Sequence, residues 1–131
     1  MTGAEAPGPV PPQVAVLCRE YAALAAAAAL GLADFLDDVA ALAVRMLPTA
    51  RTARIHVREP EVVTAVATGA GAGAAIADDV LAIPLVGRGD LAGVLELAPA
   101  GDGFPAHERE LAEVLAVLLT LSLSPGPGRA A

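Results

Sequence analysis

From residue 52 the chain alternates. In "ARIHVR", Ala53, Ile55 and Val57 point one way while Arg54, His56 and Arg58 point the other, the period of two expected of a strand with one buried face. After a turn at Glu59, Pro60 and Glu61, "VVTAVAT" from Val62 predicts the returning strand of a hairpin. Two more apolar runs, "VLAIPLV" and "LAGVLELA", flank Gly87, Arg88, Gly89 and Asp90, where glycine supplies the positive φ of a tight connection. Pro84 has no amide proton for a ladder, so its strand belongs at a sheet edge.

On either side of these strands the period lengthens. Leu32, Phe35, Leu36, Val39, Leu42, Ala43, Met46 and Leu47 share one face of a 3.6-residue repeat, with Asp34 as the expected cap and Pro48 as the stop. Upstream, Val14, Leu17, Tyr21, Leu24 and Ala28 make a thinner stripe, and Gly31 leaves open whether residues 13–47 form one helix or two. A last helix is opened by Pro105 and favoured by Glu108 and Glu110 near the positive end of its dipole. Its second half, "VLAVLLTLSL" from Val114 to Leu123, carries no charge, and a helix that is apolar all round needs cover on both sides. A sheet covers one side only. Leu17, Leu24, Val114, Leu118 and Leu121 are therefore the expected contacts between the terminal helices or with a second subunit.

The proline- and glycine-rich residues 1–12 read as a disordered leader and residues 124–131 as a disordered tail. That leaves one domain over 13–123, as a chain of 131 residues suggests. The formal charge of -7 comes from 15 acidic and 8 basic residues, the latter all arginine. Phosphate-backbone binding needs clustered positive charge, so nucleic acid is not an expected partner. The single cysteine, Cys18, excludes an intramolecular disulfide and suits a reducing cytoplasm. Within the N-terminal helix it reads as a small packed residue. The uncharged run from Tyr21 to Ala33 is too short to span a bilayer, and no basic segment precedes it as a signal peptide requires, so no membrane association is expected.

The strand "IPL" (83–85), the glycine-bearing turn, "GVLEL" (93–97) and "GFPAHERELAEVLA" (103–116) together resemble the second half of a GAF domain. The helix from Asp34 to Leu47 running into "ARIHV" is similar to how such a domain begins, so the resemblance covers about residues 32–123. It implies an α+β fold: an antiparallel sheet of about four strands in the order 2-1-4-3, with the N- and C-terminal helices packed on one face. In GAF domains the connection after the second strand usually roofs a ligand cavity; here it shrinks to Thr68–Asp79. Alternating glycine and alanine cannot wall in a ligand, which argues against the cyclic-nucleotide and tetrapyrrole roles of the family. The matched region also holds no cysteine for bilin attachment or for methionine sulfoxide reduction.

Candidate chemistry is sparse. Arg54, His56 and Arg58 share a strand face, and Thr64 and Glu96 join them if the last strand pairs with the first, as in GAF sheets. These five residues are the candidate site for a small anionic metabolite or a partner's acidic segment. The same pattern also describes a solvated sheet face carrying weak Arg–Glu pairs. "GAGAG" with Ala74 satisfies a dinucleotide-type glycine pattern, but Asp78 and Asp79 interrupt any helix after it and no second βαβ half follows. His56 and His107 are too isolated for a metal site, and no spacing suggests a catalytic nucleophile. His107 is expected to be exposed in the first turn of its helix. The expectation is a non-catalytic regulatory module without cofactor or metal, homodimeric through its terminal helices, with a kinase, phosphatase or transcription factor as separate partner. Its alternative is a sensor that binds an anionic metabolite on the open sheet face.

Overall fold

The computed structural model of the protein describes residues 11–27, 31–58, 61–69, 80–87, 89–101 and 103–123. The elements are α1 (Pro12–Ala26), α2 (Leu32–Met46), β1 (Ala50–Val57), β2 (Val63–Thr68), β3 (Leu81–Gly87), β4 (Asp90–Pro99) and α3 (Ala106–Leu123). The strands form one antiparallel sheet in the order β2-β1-β4-β3, the order implied by the resemblance. Pro84 lies in β3, an edge strand. Residues 1–10 of the expected leader 1–12, the tail 124–131 and residues 70–79 of the glycine-rich connection lie outside the described residues; Pro12, placed in the leader, is instead the first residue of α1.

The alternation in β1 decides which side of the sheet is covered. Ala53, Ile55 and Val57 are fully buried beside Leu95 and Leu97 of β4, Leu85 of β3 and Ala65 of β2. Beneath them α2 packs under β1 and β2, and α3 under β3 and β4. The α1 helix touches no described strand; it lies across α2 and α3 as a third layer. The N-terminal stretch is thus two helices. Gly31, at φ 113, occupies the N-cap of α2, a conformation that a side chain would strain. Asp34 does not cap that helix: it lies inside the first turn, where its charge favours the dipole.

Inward positions of α1 go to Leu17 and Tyr21. Cys18, one residue on, is exposed rather than packed. Tyr21 stacks edge-on against Phe35 of α2 with ring centroids 5.6 Å apart. Its hydroxyl donates to the Leu118 carbonyl at 3.2 Å and shares a 2.6 Å hydrogen bond with the Ser122 hydroxyl. One side chain thereby ties all three helices together.

Gly93 of β4 stands opposite Val57 of β1. A Cβ there would collide with the His56 carbonyl oxygen, so only glycine fits. Below the sheet, Glu108 of α3 is 4% exposed. It accepts from the Thr49 amide at 3.1 Å and from the Thr49 hydroxyl at 2.8 Å, while the Thr49 carbonyl takes the Ala100 amide at 2.8 Å. The start of β1, the end of β4 and the start of α3 meet at this one residue. Among the described residues, no helix is long and apolar enough to cross a membrane.

Candidate functional site

The uncovered face of the sheet is ordered in rows by the register. Thr64, His56, Val94 and Pro84 form one row; Val66, Arg54, Glu96 and Ala82 form the next; Thr68, Thr52 and Ala98 form a third. Four of the five candidate residues thus fall in two adjacent rows. The His56 Nδ1 and the Thr64 hydroxyl share a hydrogen bond of 2.6 Å, and Arg54 reaches Glu96 at 3.7 Å. Arg58 stands one residue beyond β1, where its Nε donates to the Leu91 carbonyl at 3.1 Å. It is held at the end of the sheet, away from the Arg54 row.

This face is chemically modest. Arg54 is already paired, and an exposed ion pair of this kind contributes about 0–1 kcal/mol. Thr52, Arg54, Val66, Val80, Glu96 and Ala98 line an open depression of about 170 Å³, below the ~300 Å³ at which small-molecule pockets usually begin. Among the described residues, no three His, Cys, Asp or Glu side chains are placed to hold a metal. His107 is exposed in the first turn of α3, as its position predicts, with Nε2 3.9 Å from Glu108.

The helical side offers a second candidate. In α3, Leu111, Ala112, Leu115, Ala116 and Leu119 are buried, while Val117 is 58% and Leu121 67% exposed. Val117 is a ridge between two open grooves. One, of about 330 Å³, runs along β3 past Ile83, Pro84 and Leu121; the other, of about 350 Å³, runs along α1 past Pro11, Val14 and Val114. Of the five residues predicted for helix contacts, Leu121 is exposed and Leu24, Val114 and Leu118 are half-buried. Leu17, at 1% exposure, is used within the subunit and lies beneath this surface. Val117 was not singled out by the pattern, because an uncharged helix does not reveal which of its apolar residues remains uncovered.

No family model matches the chain, and no curated protein does. The structure is similar to the crystal structure of a protein described as a GAF sensor from Burkholderia vietnamiensis, with a TM-score of 0.59 and 15% identity. The match covers 89% of this chain and 92% of that one. The fold is GAF-like. In this chain α3 packs on the covered side of the sheet and α1 lies behind it, both away from the exposed face. The two candidate surfaces of this GAF-like chain lie on opposite sides of the sheet, and the α3 groove reaches the β3 edge at Pro84.

Proposed function

We propose that this protein is a non-catalytic, cytoplasmic regulatory module of one domain spanning residues 13–123. It dimerises through α1 and α3 and acts on a separate signalling protein of the kinase, phosphatase or transcription-factor class. What carries this reading is the row of Val117 and Leu121 on α3, flanked by half-buried Val114 and Leu118. Contiguous exposed apolar surface of this kind marks an association site, and a two-fold axis near Val117 sets the same row against itself. The test is light scattering after size exclusion. Val117→Asp with Leu121→Asp is expected to convert a dimer to a monomer with little change in thermal stability; a wild-type protein that is strictly monomeric at tens of micromolar sinks the reading.

The second reading is a sensor of a small anionic metabolite on the open face. It is favoured by Arg54, His56 and Thr64 standing side by side in neighbouring strands, with Arg58 at the rim. Titration with nucleotides and small carboxylates, followed by amide shifts in β1 and β2, tests it; unmoved resonances at Arg54, His56 and Thr64 end it.

A further inference from the structure

The two edges of the sheet are finished differently. β3 carries Pro84 and an irregular register between Leu85 and Val86, and the groove of α3 runs beside it. Proline and bulges are the usual means of keeping another strand from adding to an edge. β2 has neither: "VTAVAT" contains no charge, proline or glycine, and its pairing with β1 is regular from Val63 to Thr68. Among the described residues no strand pairs with its outer side. In the centre of that edge Val66 is 52% exposed.

We infer that the β2 edge is a self-association surface, on which β2 of a second copy pairs antiparallel about a two-fold axis at Val66. Directly opposed residues of antiparallel strands share a face, so the axis has to pass through a residue rather than between two. At Val66 it sets Val66 against itself, Thr64 against Thr68, and Ala65 against Ala67, so apolar meets apolar and hydroxyl meets hydroxyl. No charge in the strand opposes its own image. The neighbouring Arg54 is held one strand inward by Glu96. The second copy would extend the sheet from four strands to eight.

One pair of six-residue strands buries less than the roughly 1,200 Å² of a stable interface. The association is therefore weak and concentration-dependent, and it strengthens with salt as the charge of -7 on each copy is screened. It goes beyond the proposed function and uses the opposite edge from α3. Where both contacts form, two different two-fold interfaces join copies into open chains.

Cross-linking tests the β2 contact separately. Opposed Cα atoms in an antiparallel pair lie within the span that a disulfide bridges. In a Cys18→Ser background at high protein concentration, Val66→Cys is expected to form a covalent dimer under mild oxidation at least about tenfold faster than Val86→Cys on the other edge. The advantage should persist when Val117→Asp and Leu121→Asp are added, so loss of the helical dimer and loss of this contact are distinguishable. Equal rates for the two cysteine variants overturn the inference. In the native sequence background, Val66→Arg is expected to abolish any concentration-dependent increase in sedimentation beyond the helical dimer. An unchanged profile, or no such increase in the parent protein up to about 1 mM, overturns it as well.

Discussion

Ile55 and Arg54 are neighbours in β1 and face opposite ways, and each is typical of its side of the sheet. Ile55 sits among Leu95, Leu85 and Val57, all without solvent contact; Arg54 sits in water beside Glu96. The buried apolar side chains therefore lie on the helix side, and substitutions on the other face are expected to cost little stability. Binding surfaces can change there at small cost, whereas recognition through the helix side has to use the few apolar residues that the core leaves over.

The sharpest way to break this comparison is to truncate one residue on each side. Leu95→Ala removes a fully buried side chain and is expected to lower stability by about 2–5 kcal/mol in urea denaturation. Arg54→Ala should stay within about 0.5 kcal/mol, and a larger loss would make the open face part of the structural core. Glu108→Ala probes the polar exception on the covered side. It strands the Thr49 amide and hydroxyl, and a loss of about 2–3 kcal/mol is expected. Loss of less than half a kilocalorie would mean that Thr49 finds other partners. Gly93→Ala tests the tight packing of β4 against β1, and the clash with the His56 carbonyl should cost about 1–3 kcal/mol.

The last test is a pH dependence. Burial pushes the Tyr21 phenol above its ordinary value of 10.0, and the hydrogen bond with Ser122 offsets part of that rise. A raised folded-state value means that the folded protein holds this proton longer than the unfolded chain does. Its contribution is complete below pH 10 and is lost as pH climbs through the folded value. Chemical denaturation between neutral and strongly alkaline pH should show that fall, and Tyr21→Phe should remove this residue's share of it. An identical alkaline slope in both proteins would mean that Tyr21 ionises without regard to the fold.

The strands were legible in the chain because alternation leaves a local mark: Ala53, Ile55 and Val57 are buried as the pattern says, and Pro84 is on an edge strand. The helical stripe of α2 was legible for the same reason, since Phe35, Leu36, Val39, Leu42 and Ala43 are all buried. Its start was not. Asp34 has the right chemistry for a cap, but the backbone turns earlier, at Gly31, where an unusual φ outweighs a preferred side chain. Glu108 was read as a dipole partner only; its bonds to Thr49 span 59 residues of sequence, and no local pattern encodes such a pairing. Of the candidate site, the face and the row containing Arg54 and Glu96 followed from alternation and strand order. The withdrawal of Arg58 to the sheet's end did not, because the Leu91 carbonyl that holds it belongs to the start of β4, 33 residues further along the chain.

The clasp between Thr49 and Glu108 also makes a lever of the last helix. With 18 residues it is about 27 Å long, pivoted where β1 begins and β4 ends. A swing of roughly 5° there would carry its far tip through about 2 Å, the scale on which helices shift at subunit contacts. Near that tip Tyr21 grips Leu118 and Ser122, so the first helix would be dragged along with the third.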